Sequence, residues 1–177
     1  MSEKTKKFAD GFTIAEALIA LVVVSILLAA VAVAFNASAI NYRENNDTFN
    51  AVNRARQALF RITTQLRTAG YEVTPGHFIA VDPGALINQC NFYTCKGENL
   101  TYEFRAASDP EYPNTLLLIT NNNGNKYVLC NNVTAGTFVK TPDGYGDCKS
   151  VQISITVAAG DIQRTLSAAA VVRRNLK

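Results

Sequence analysis

The chain is poor in the groups that carry chemistry. Histidine occurs once, at His77, and the serines and aspartates form no nucleophile elbow or triad. These absences argue against an enzyme, and His77 after Pro75-Gly76 reads as a surface or turn residue. Net charge is scarce too: 17 Lys and Arg against 14 Asp and Glu leave +3, which gives no reason to expect nucleic acid or an acidic substrate. Metal-ligand spacing is missing. Four residues separate Cys90 from Cys95 and seventeen separate Cys130 from Cys148, whereas paired zinc ligands usually have about two to four between them. Thr141-Pro-Asp-Gly-Tyr-Gly-Asp places Asp143 and Asp147 in a glycine-rich loop, without the spacing or terminal glutamate of an EF-hand. It reads as a turn tied down by Cys148. No metal and no cofactor are expected, and tyrosines such as Tyr71, Tyr93 and Tyr102 read as packing rather than as a stacking platform for nucleic acid.

What the chain has instead is one long apolar run. Phe12 to Phe35 spans 24 residues, about 36 Å of helix at ~1.5 Å per residue, enough to cross a bilayer. A secretory signal has an apolar core of only about 7–15 residues. Lys4, Lys6 and Lys7 precede the run and hold its start on the cytoplasmic side by the positive-inside rule. An ordinary single-pass anchor explains the length and the lysines, but not Glu16. A carboxylate at the centre of a membrane helix costs roughly 2.5–3.5 kcal/mol on insertion scales, so it asks for a partner. Cleavage after Gly11 creates one, because the new amine of Phe12 lies one helical turn from Glu16.

Gly11-Phe-Thr-Ile-Ala-Glu16 followed by this run resembles the start of a type IV prepilin, the precursor of subunits of type IV pili and type II secretion pseudopili. The resemblance implies cleavage between Gly11 and Phe12 by a prepilin peptidase and N-methylation of Phe12. It also implies pairing of Glu16 with the Phe12 amine of a neighbouring subunit during assembly. The implied partners are other pilin or pseudopilin subunits through the N-terminal helix, the peptidase, and an inner-membrane assembly platform. The implied location is a single-pass inner-membrane protein with a periplasmic C-terminal domain, then a surface pilus or a periplasmic pseudopilus. Ala58-Leu-Phe-Arg-Ile-Thr-Thr-Gln-Leu-Arg-Thr-Ala-Gly-Tyr and Arg164-Thr-Leu-Ser-Ala-Ala-Ala-Val-Val-Arg-Arg-Asn resemble the helix end and closing strand of W-class minor pilins and J-class pseudopilins. Val33 and Ser25 stand where many major subunits have proline and glycine, which favours a minor subunit or pseudopilin. A type II secretion pseudopilin is the alternative, and a filament-borne module for adhesion or DNA uptake is a third reading. That third reading asks for a basic or aromatic patch within residues 85–150, where Lys96, Lys126, Lys140 and Lys149 are dispersed.

The expected organisation is a cleaved leader at 1–11, a membrane and filament-core helix at 12–35, its continuation packing on the domain at 36–70, and a β-rich head at 71–177. Residues 36–48 are polar all round and predict a bend or partial melting, although 36–47 contain neither Pro nor Gly. Phe49, Val52, Ala55, Leu59, Ile62 and Leu66 recur at helical spacing, and Gly70 reads as the stop. Strands are expected at 78–81, 100–104, 115–120, 126–130, 151–157 and 163–172, with hairpins at Asn121-Asn-Asn-Gly-Asn and Ala158-Ala-Gly-Asp. The fold class is therefore α+β, pilin-like, with one antiparallel sheet packed on the second half of the helix. Four cysteines beyond a membrane segment predict disulfides, and four allow three connectivities. Cys90–Cys95 with Cys130–Cys148 is the expected pairing, because each bridge closes a loop between candidate strands.

Overall fold

The computed structural model describes residues 12–74, 77–143 and 146–172. The leader with Gly11, Pro75, Gly76, Gly144, Tyr145 and residues 173–177 lie outside them. Among the described residues, one helix, α1 (Ile14–Arg67), is followed by nine strands, all antiparallel within their sheets. The polar stretch 36–48 is helical throughout, so the expected partial melting is not seen. With no proline or glycine there, every backbone N–H keeps its partner one turn back, and polar side chains alone do not break the ladder. Contacts divide the chain into two compact units, Met1–Arg43 and Glu44–Lys177.

Within the second unit, α1 buries Ala55, Ala58, Leu59, Ile62, Thr63 and Leu66. The expected stripe is right from Ala55 onward, but Phe49 is 63% exposed. The last turn tightens, with Thr68 N–H donating to Gln65 O at 3.2 Å and Ala69 N–H to Leu66 O at 3.3 Å. Gly70 then adopts φ 133°, a conformation that suits a residue without Cβ, and its N–H donates to Tyr93 O at 2.9 Å.

The strands form three sheets rather than the one expected. β1 (Tyr71–Thr74) pairs with β2 (His77–Ile79), so His77 stands in a strand rather than a turn. β3 (Gln89–Tyr93), β4 (Asn99–Arg105), β5 (Thr115–Thr120) and β6 (Asn125–Cys130) form a four-stranded meander in that order. β7 (Val133–Pro142), β8 (Cys148–Ala159) and β9 (Ile162–Val171) form the third sheet. The chain changes sheets between Cys130 and Val133, where Asn132 takes φ 59°, a conformation that asparagine tolerates better than most residues. Both expected hairpins are present, with Gly124 at φ 68° between β5 and β6 and Gly160 at φ 58° between β8 and β9.

β1, β3 and β7 escaped the sequence reading. Gln89-Cys-Asn-Phe-Tyr alternates in burial, but its outward residues are ordinary polar ones. β7 carries Ala135 and Gly136, both weak strand formers, and ends on Pro142, which an edge strand tolerates.

β4 alternates as expected, yet both its faces are covered. Leu100, Tyr102 and Phe104 are buried in the apolar core with Ile62, Leu66, Phe92, Leu116 and Phe138. Tyr102 stacks on Phe92 with ring centroids 5.4 Å apart, and its hydroxyl donates to Gln65 Oε1 of α1. The other face is a polar ladder. Thr101 Oγ1 donates to Asn91 Oδ1 at 2.8 Å, Asn121 Nδ2 donates to Thr101 Oγ1 at 2.9 Å, and Gln89 Nε2 donates to Glu103 Oε1 at 2.7 Å. Burial of these groups is tolerable because each has a partner.

The two larger sheets meet at Phe104 and Phe138, whose rings lie 4.9 Å apart. Gly136 makes this approach possible: a Cβ there would stand 2.2 Å from the Phe104 ring. Gly136→Ala is expected to destabilise the protein by about 1–3 kcal/mol through overpacking, and Phe104→Leu in the same chain to recover part of the loss. Urea unfolding of the full chain in detergent checks both.

Candidate functional site

The residues singled out near the N-terminus come together at the first turn of α1. Phe12 precedes the helix and is 77% exposed. Thr13 is the N-cap, and Glu16 occupies the third helical position. Glu16 N–H donates to Thr13 Oγ1 at 3.2 Å, while Glu16 Oε2 accepts from both Thr13 N–H and Thr13 Oγ1 at 2.9 Å. This is a reciprocal capping box of the Thr-x-x-Glu type. The sequence reading found Glu16 as an acid wanting an amine but missed this local partner, although the spacing was in plain view. The carboxylate is thereby held at the positive end of the helix dipole, where anions are stabilised.

From there to Phe35 the helix exposes an almost wholly apolar surface. Leu18, Leu21, Val24, Leu27 and Phe35 are all at least half exposed, and α1 is long and apolar enough to cross a membrane. Ser25 satisfies its hydroxyl locally by donating to Val22 O at 2.7 Å, so the helix passes Ser25 and Val33 without interruption.

No disulfide joins Cys90, Cys95 or Cys130 in this structure. Cys90 and Cys148 are fully buried, Cys130 nearly so, and Cys95 is exposed. Cys90 and Cys148 lie within electrostatic range of each other. Cys130 lies within that range of Arg54 on α1.

The loop with Asp143 and Asp147 is a clasp. Asp147, 3% exposed, accepts from Ala80 N–H at 2.8 Å through Oδ2, and from Val81 N–H and Cys148 N–H at 2.7 Å through Oδ1. Asp143 N–H donates to Asp147 O at 2.9 Å and Asp143 Oδ1 accepts from Asp147 N–H at 3.2 Å, closing the turn. Among the described residues, no group of three His, Cys, Asp or Glu is placed to hold a metal.

An open groove of about 410 Å³ runs between the end of β4 and the start of β7. Its one cation, Arg105, is paired with Glu103 at 2.7 Å and Asp109 at 3.1 Å. The groove thus offers no unbalanced positive charge for an anionic ligand.

Residues 6–32 match a family model described as the prokaryotic N-terminal methylation motif. The match takes in Gly11, Phe12, Thr13 and Glu16 and most of the exposed apolar run, and leaves the head untouched. Neither the curated proteins nor the solved structures contain a significant match to this chain.

Removing the clasp tests its weight. Asp147→Ala strands three buried backbone N–H groups, each worth about 1–3 kcal/mol, so a loss of about 3 kcal/mol or more is expected. Asp147→Asn keeps one acceptor oxygen and is expected to lose less. Equilibrium unfolding of the two variants beside the parent chain gives the comparison.

Proposed function

The methylation motif indicates a type IV prepilin-like protein, and we propose that this chain is a minor type IV pilin. In this reading a prepilin peptidase cuts between Gly11 and Phe12 and the Phe12 amine is methylated. The subunit then helps to start and cap the filament. The observation that carries the reading is the position of Glu16: its carboxylate is pinned to Thr13, one residue from the bond to be cut, at the head of an exposed apolar helix.

The physics of assembly follows from that position. In the precursor, Phe12–Phe35 lies in the bilayer with the leader lysines on the cytoplasmic side. Thr13 keeps the Glu16 carboxylate hydrogen-bonded while the chain waits in lipid. When a neighbour presents a methylated Phe12 amine, two opposite charges meet in low dielectric, which is far less costly than either alone. Apolar contacts between helices then hold the filament core.

An uninterrupted helix through Ser25 and Val33 supports a minor subunit, as does the resemblance of residues 58–71 and 164–175 to W-class minor pilins. The head offers little support for a nucleic-acid or adhesion module. Lys126 is paired with Glu111 at 2.9 Å and stands over Tyr112, and Lys140 Nζ is hydrogen-bonded to the Ala85 and Leu86 carbonyls. Both lysines are engaged within the protein and build no basic patch.

Glu16 variants separate capping from charge pairing. Glu16→Gln retains a capping-box side chain without its charge, whereas Glu16→Ala loses both. Both variants are expected to insert into the membrane, and both to be depleted from filaments at least tenfold by quantitative immunoblot. Incorporation of Glu16→Gln at the parent level would assign Glu16 to capping alone.

Mass spectrometry of the N-terminal peptide, from membranes and from sheared filaments of the same cells, tests the function itself. An N-methylated Phe12 in both fractions, scarce in the filaments, is the expected outcome. Processed chain confined to membranes favours the type II secretion pseudopilin, and an intact Met1 leader overturns both readings.

A further inference from the structure

We propose that Cys90 and Cys148 form a disulfide that ties β3 to β8 once the head is exported. The exported location rests on the pilin reading above, while the pairing rests on the fold. The geometry begins at one oxygen atom. Asp147 Oδ1 accepts from Val81 N–H and from Cys148 N–H, each at 2.7 Å, which brings the start of β8 against the segment that follows β2. That segment runs alongside β3. Val81 bridges Phe92, and Asp82 N–H donates at 3.0 Å to the carbonyl of Asn91, the residue after Cys90.

Side-chain direction agrees. Cys90 and Phe92 share the buried face of β3, and Cys148 opens a series of buried residues in β8 that continues through Val151, Ile153 and Ile155. Lys140, anchored on the Ala85 and Leu86 carbonyls, acts electrostatically on both cysteines, and so does Asp82. Cys95 is exposed beyond the end of β3, and Cys130 closes β6 in the other sheet from Cys148.

Closing the bridge breaks two S–H bonds and forms one S–S bond. The disulfide of an oxidised dithiol donor in the exported compartment takes the two electrons and two protons and becomes a pair of thiols. Desolvation pushes the Cys90 thiol up to about 12 and the Cys148 thiol up to about 11. In the closed head both are therefore protonated and poor nucleophiles, so the bond forms while the head is still folding. The loop it closes, residues 90–148, is long, the regime in which a cross-link restricts the unfolded chain most.

The full chain, refolded in detergent with a glutathione redox mixture, is thiol-blocked and digested without reduction. One cross-linked peptide pair joining Cys90 to Cys148 is expected, with Cys95 and Cys130 alkylated. Reduction of the refolded protein is expected to lower its melting temperature by about 10 °C or more. Cys90–Cys95 or Cys130–Cys148 peptides, or four alkylated cysteines, overturn the pairing. The same digest made from thiol-blocked cells tells the two readings apart. A bridge formed in refolding but alkylated Cys90 and Cys148 in cells overturns the exported location and leaves the pairing standing.

Discussion

Hydrocarbon and water make opposite demands on a helix, and α1 meets both along one run, Ile14–Arg67. Its first part presents apolar side chains outward, which is stable only in lipid or against other apolar helices. Its last part confines apolar residues to a stripe that the head covers. Between them, residues 36–48 carry polar groups on every side and stay helical because nothing in them removes a backbone hydrogen bond. The head depends on the stripe: Ala55, Leu59, Ile62 and Leu66 contribute to one core with residues of both larger sheets.

The same helix concentrates its one awkward charge where it is most useful. A glutamate deeper in the run would face the full cost of hydrocarbon. At the third helical position Glu16 instead completes a cap, satisfies the Thr13 N–H and hydroxyl, and sits at the favourable end of the dipole. The capping bonds also hold the carboxylate on Thr13, the residue after Phe12, whose amine processing would create. Local helix chemistry and the proposed assembly chemistry thus draw on the same side chain.

In the head, two small features govern how the sheets meet. Gly136 lets β7 approach the Phe104 ring, and the Asp147 carboxylate gathers backbone N–H groups from Ala80, Val81 and Cys148. A buried carboxylate is tolerable when donors surround it, and here the donors come from segments more than sixty residues apart. The loop that carries Asp147 reads in sequence as a turn, and its acids accept from backbone amides of the protein itself.

The sequence by itself determined the long helix with its Thr13–Glu16 start, both hairpins and six of the nine strands described. Each of these is written in neighbours: periodicity within a few turns, Gly124 and Gly160 at turns, an acid three residues after a threonine. The tertiary structure alone decided the division into three sheets, the partners of Asp147 and the surroundings of the buried cysteines. Cys90 and Cys148 carry nothing in their flanking residues that points to one another. Spacing favoured Cys130 for Cys148, and Cys130 closes the edge strand β6. Contacts between residues so distant in sequence exist only after the strands have chosen their sheets, and that choice is made by the summed packing of the core.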